Sequence, residues 1–158
     1  MKLFYKFLLW SVVPMMALGF AACSDDDDLP DVSFKIVTDE SNPVVDGTIY
    51  VVQGEDLTID AIEVTNNDSG KAATITRANY FWDGALVYVS PFSPFGCELS
   101  TSETTPVGVH NLEITCPVLA VDKEVATALI GYKVMVVESA DDIPDGGSNT
   151  TTDPATMK

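Results

Sequence analysis

Few side chains in this sequence could do chemistry beyond simple charge: three cysteines, Cys23, Cys97 and Cys116, and one histidine, His110. A thiolate can attack a substrate or ligate a metal, and an imidazole can move protons near neutral pH. Nucleophilic catalysis needs both within hydrogen-bond reach and framed by a third group. No nucleophile elbow, phosphate-cradling glycine loop or cluster of histidine with acids occurs. Zinc asks for four ligands, which two cysteines and one histidine at this spacing do not supply. The acids could form a glycosidase pair, yet none stands in a recognisable frame. The turns at Asp46-Gly47, Asn66 to Asp68 and Asp122 to Glu124 lack the alternating ligands of a calcium loop. These residues point away from an enzyme and imply no cofactor and no metal.

Cys23 closes a leader. Lys2 and Lys6 make a basic start, Phe7 to Ala22 is uncharged and mostly apolar, and the small pair Ala21-Ala22 precedes the cysteine. A helix needs about 20 apolar residues to cross hydrocarbon, so this run is short for a span. Residues 1–22 read as a cleaved signal. A cysteine at the cut makes it a bacterial lipoprotein signal, with Cys23 acylated as the first mature residue. The stretch Cys23-Ser24-Asp25-Asp26-Asp27-Asp28 resembles the start of surface-exported lipoproteins from anaerobic Gram-negative gut bacteria. That resemblance implies that Ser24 to Asp28 act as an export signal, giving a lipid anchor in the outer membrane with the chain facing the cell exterior. Read as charge alone, the aspartates are a solvated spacer held extended by repulsion. Either way, residues 23–31 form an acidic tether.

Without residues 1–22 the chain carries 24 acids against six bases, a net of −18. The span 32–139 carries 15 acids against Lys35, Lys71, Arg77, Lys123 and Lys133, a net of −10. Neutralising phosphates takes clustered Lys and Arg, so nucleic acid is excluded as a partner. About 108 residues suffice for one domain with its own core. Residues 140–158 offer little apolar surface to bury, and a disordered C-terminal tail is expected.

What must position the chemistry is β-structure. Val32, Phe34 and Ile36 alternate with polar residues, Thr48 to Gln53 is a β-branched run, and Leu57 to Val64 changes phase at Ala61-Ile62 as a bulge would. Ala73 to Trp82 and Ala85 to Val89 flank Asp83-Gly84, a type I′ hairpin signal. Further strands fall at Cys97 to Glu103, Val109 to Val118 and Val125 to Val137, and no window carries a capped helical period. The fold class is all-β, an immunoglobulin-like antiparallel sandwich of seven to nine strands over residues 32–139. Thr105 to Leu112 resembles the Gly-x-Tyr-x-Leu approach to a late strand in bacterial immunoglobulin-like modules. That resemblance makes His110 a structural corner and not a base.

With Cys23 acylated, Cys97 and Cys116 are an even number in an oxidising compartment, which suggests a disulfide. If Pro106-Val107 centre a two-residue hairpin, the two stand directly opposite. If the chain crosses between sheets there, the pair instead bridges the sandwich; free buried thiols are the third reading. Ser90 to Gly96 presents Phe92 and Phe95 on a segment stiffened by Pro91 and Pro94. The two rings are candidate contacts for a partner protein or a sugar face, or they fold back and cap the sandwich, the reading favoured here. The expected function is a non-enzymatic cell-surface binding module for a glycan or an envelope protein. The alternative is a structural or accessory subunit of a surface complex or adhesin.

Overall fold

The computed structural model describes residues 29–68 and 70–158, so the leader, Cys23 and Ser24 to Asp28 lie outside the described residues. In chain order the strands are β1 (Val32–Thr38), β2 (Val44–Val45), β3 (Thr48–Val52), β4 (Asp56–Asn66), β5 (Ala73–Ile75) and β6 (Ala78–Trp82). They continue with β7 (Ala85–Ser90), β8 (Phe95–Ser100), β9 (Gly108–Ala120), β10 (Ala126–Val137), β11 (Thr150–Pro154) and β12 (Thr156–Met157). One sheet has the order β11-β1-β4-β8 and the other β2-β3-β10-β9-β6-β7. β12 joins β10, and β5 joins β9. The strand β3 runs parallel to β10, whereas β10, β9, β6 and β7 pair antiparallel. With β1, β4 and β8 facing β10, β9 and β6, the chain is an immunoglobulin-like β-sandwich.

Alternation in the sequence decides which residues meet. In β1 the period of two buries Val32, Phe34, Ile36 and Thr38. Phe34, Ile36, Leu57 and Ile59 of the first sheet share one core with Ile49, Val51, Tyr80, Leu112, Ile114, Ile130 and Val134 of the second. Each fully buried side chain of this size contributes about 1.5–3 kcal/mol. The expected hairpin at Asp83-Gly84 forms, with φ of 48° and 82° at its two central residues.

The phase change in β4 is a bulge, one residue earlier than the sequence suggests. Val37 pairs with Ala61 but Thr38 with Ile59, leaving Asp60 as the extra residue. The buried face therefore passes from Leu57 and Ile59 to Ile62. On the other flank of β4, Ile59 pairs with Cys97 and Ala61 with Phe95, which sets Gly96 beside the bulge. A Cβ at Gly96 would lie 2.3 Å from the Ile59 carbonyl oxygen and 2.7 Å from that of Asp60. Only glycine fits there.

Residues 140–158 do not form the disordered tail expected from their composition. Ser139 caps a short 3-10 turn, Ala140–Asp142, and the chain then enters the sandwich. Thr150 to Pro154 pair with Val37 to Ser33 of β1, and Thr156 and Met157 pair with Leu129 and Ala128 of β10. Backbone hydrogen bonding, which composition does not register, holds this segment. Ala155 and Met157 add apolar contact with the core.

Candidate functional site

A sandwich has two lateral openings, where the edge strands of its sheets lie side by side. The tail closes one of them. Val44 and Ser148 exchange backbone hydrogen bonds, the Thr38 amide donates to the Asn149 carbonyl at 2.9 Å, and Thr127 and Lys158 also exchange backbone bonds. The chain thereby stitches β1, at the side of one sheet, to β2 and β10 of the other. On the opposite side β7 ends the second sheet and β8 ends the first, and among the described residues β7 pairs with β6 alone. No described strand covers this side.

The open side is also apolar. Leu86 is 56 %, Val87 47 %, Tyr88 43 % and Val89 43 % exposed, and Phe92, just beyond β7, is 79 % exposed. No residue from Ala85 to Pro94 is charged. A bulge shapes the strand: Tyr80 pairs with Tyr88 but Phe81 with Leu86, so Val87 is the extra residue. Val87 lines a groove of about 340 Å³ between the two edges, together with Trp82, Glu98, Leu99, Ser100, Thr101 and Thr105. Bulges beside sites commonly re-aim a side chain in this way. The Thr101 hydroxyl is already engaged, donating to the Glu55 carbonyl at 2.6 Å and accepting from the Gly54 amide at 2.9 Å. It fixes the end of β8.

The hairpin that carries β7 is anchored from below. The Asp83 carboxylate accepts from the Asn111 amide at 2.9 Å and meets His110 Nδ1 at 2.7 Å, while His110 Nε2 meets the Pro106 carbonyl oxygen at 2.8 Å. The His110 ring also stacks on Trp82, with centroids 5.0 Å apart. Contact with the backbone four residues upstream is the structural-corner role expected of His110. Burial favours the neutral imidazole, but the hydrogen bonds to Asp83 and Pro106 outweigh it and raise the pKa above 6.5. The Asp83 carboxyl is lowered below 3.8 by its bonds from Asn111 and His110.

A raised histidine contributes stability that is fully present below about pH 6.5 and is lost as pH rises through the folded value. A lowered aspartate contributes stability present above about pH 3.8 and lost as pH falls through its folded value. The anchor is therefore strongest between the two. Wild type should exceed Asp83→Asn in Tm most in that window, and the gap should narrow on either side. A gap that does not change with pH would show that the pair carries no charge coupling.

The structure separates the residues singled out from sequence. Phe92 and Phe95 do not form one contact. Phe92 projects into solvent, whereas Phe95 packs partly buried against the core. The turn divides them: the Phe95 amide donates to the Phe92 carbonyl at 2.8 Å, and the Tyr80 hydroxyl donates to the Phe95 carbonyl. Capping of the sandwich thus holds for Phe95 and fails for Phe92.

The proposed hairpin between Cys97 and Cys116 is also corrected. Cys97, on β8, pairs with Ile59 in the first sheet, and Cys116, on β9, pairs with Ala128 in the second. The segment between β8 and β9 crosses the sandwich, because β9 finds its partners in β6 and β10. The two buried sulfurs therefore lie on opposite sheets, the cross-sandwich arrangement, with no bond between them in this structure, and burial pushes each thiol up to about 12. At that value neither is a nucleophile. Among the described residues, no group of three or more His, Cys, Asp or Glu could hold a metal.

Sequence reasoning recognised β7 as a strand but missed its exposure. A run such as Leu86-Val87-Tyr88-Val89 suits a buried central strand equally well, and only the sheet order reveals an edge.

No protein-family model matches this sequence. No curated protein matches it either. Among solved structures the chain is similar to the fibronectin(III)-like modules of Clostridium thermocellum CbhA, with a TM-score of 0.43 at 16% identity. That match covers 68% of this chain and 47% of the other, so it spans less than half of that structure's length.

Proposed function

We propose that this chain is a non-enzymatic binding module, held in a bacterial outer membrane by acyl groups on Cys23 and facing the cell exterior. In this reading it recognises a protein of the cell envelope through the open side of its sandwich. The observation that carries it is β7, an uncharged strand edge with four consecutive exposed apolar residues, extended by Phe92. Natural sheets usually blunt such edges with charge, proline or a covering segment, and contiguous exposed apolar surface marks a protein contact. Sugars are gripped by stacked rings and free polar side chains. On this face three of the five large exposed apolar side chains are aliphatic, Leu86, Val87 and Val89, and the Thr101 hydroxyl of the groove is already bonded to backbone. The leader, the small residues before Cys23 and the aspartates after it support the anchor and its outward orientation. A lasting place in a surface complex is the second reading, favoured by the same edge. Stoichiometric co-purification of the partner would distinguish it.

Leu86→Lys combined with Phe92→Ala, in the full lipid-anchored chain, should weaken envelope-protein binding at least about 10-fold, as loss of a central apolar contact does. Unchanged Tm would locate the effect at the face. A glycan that binds wild type and is lost on Phe92→Ala would overturn the protein reading in favour of sugar. Metabolic labelling with an alkyne fatty acid should vanish in Cys23→Ser, and protease added to intact cells should remove the domain. Persistent labelling in that variant would sink the anchor.

A further inference from the structure

We infer that the open edge takes its partner by strand addition: an extended, uncharged segment of alternating apolar residues, flanked by lysine or arginine, pairs with β7 and lays alternate side chains into the groove beneath. This rests on the binding-module reading above and adds the mode of recognition and the chemistry of the ligand.

Three observations carry it. First, among the described residues β7 hydrogen-bonds to β6 alone, so every second residue turns its N–H and C=O away from the sheet. An added strand satisfies such groups and gains affinity from the main chain, with pockets for alternate side chains giving selectivity. Second, the groove lies directly under that edge, and its apolar lining (Trp82, Val87 and Leu99) is where the inward side chains of an added strand would fall. The bulge that turns Val87 into it makes this edge a shaped receptor and not a bare flank. Third, the fold covers its other lateral opening with its own β11, itself an antiparallel strand laid on β1. The chain thus shows on one side the contact that is inferred for the other.

Charge selects among occupants. The domain carries a net of −10 and the mature chain −18. Glu98 lines the groove and Asp83 stands in the turn before β7, while Arg77 comes just before β6, at the end away from that turn. A second copy would bring the same negative field and be repelled, whereas a segment with cationic flanks is drawn in.

The test uses the detergent-solubilised full chain and synthetic peptides. Strand addition works mainly through backbone, so a generic peptide is a fair probe: Lys-Lys-Val-Thr-Val-Thr-Val-Lys-Lys, its Glu-flanked counterpart, and a version N-methylated at every amide of the Val-Thr-Val-Thr-Val core. The Lys-flanked peptide should bind at least about 10-fold more tightly than the Glu-flanked one, and added salt should reduce that ratio. Full N-methylation of that core should abolish binding, since neither edge of the peptide can then donate to β7. Amide hydrogen exchange within Ala85 to Ser90 should slow about 10-fold or more in the complex. Absence of binding, equal binding of both flanks, binding that survives N-methylation, or unprotected β7 amides would each overturn the inference. So would a concentration-dependent dimer that competes for this edge. An envelope protein whose binding is lost with Leu86→Lys and Phe92→Ala, while β7 amides stay unprotected, would leave the binding-module reading standing and remove only strand addition.

Discussion

Gly96→Ala should lower the unfolding free energy by about 3 kcal/mol, the upper end of what forcing atoms into a filled site costs. The reason is local and steric. A methyl group at this position would overlap two carbonyl oxygens of β4, those of Ile59 and Asp60, at 2.3 and 2.7 Å. Backbone atoms cannot rotate aside as a side-chain terminus can. Relief would require β8 to move away from the β4 bulge, and that would break the pairing of Cys97 with Ile59 and of Phe95 with Ala61. The adjoining carbonyl of Phe95, which accepts the Tyr80 hydroxyl, would shift with it. Urea denaturation of wild type and variant measures the difference. A midpoint within experimental error of wild type would show that β8 can shift without cost.

Ending the chain after Ile143 should cost about 2–4 kcal/mol and bring self-association, as lost hydrogen bonds and apolar contact outweigh the entropy regained. β11 and β12 disappear, and with them the bonds that tie Thr38 to Asn149, Val44 to Ser148 and Thr127 to Lys158. The strand β1 then becomes a bare edge whose outward backbone groups can pair with another chain. Denaturation midpoint and light scattering report the two effects separately. An unchanged midpoint with no scattering would mean that the tail contributes nothing to the sandwich. The β7 side is remote from these strands, so peptide binding there should survive.

Much of the fold was legible because period-two alternation is a direct record of burial. Val32, Phe34 and Ile36 alternate in the sequence and are buried in the structure, and Asp83-Gly84 forms the turn its residue types demand. Tyr80 holds the fully buried aromatic position of β6, with Trp82 left half-buried against His110. Alternation assigns both rings to one face, but depth depends on distance from the sheet edge.

What the sequence hid was non-local. The tail looked unable to fold because its side chains offer little to bury, yet its backbone finds a partner over a hundred residues away in β1. The placement of Cys97 and Cys116 turned on whether Thr105 to Gly108 reverses the chain or carries it across. Residue types alone are compatible with either. The candidate site was half visible for the same reason: Phe92 stood out as an aromatic beside proline, whereas the exposure of Leu86 to Val89 depends on no described strand lying beyond β7.

Cys97 and Cys116 also make the molecule its own stopwatch. Both sulfurs sit in the core with thiols pushed up to about 12, so an aqueous disulfide reagent meets almost no thiolate while the sandwich is closed. In a Cys23→Ser background, colour development under native conditions would count openings that part the two layers, one event at a time, without denaturant. Cys97 lies on the edge strand β8 and Cys116 on the central strand β9, so the order in which they react would tell whether breathing begins at the β7–β8 side or parts the whole sandwich at once.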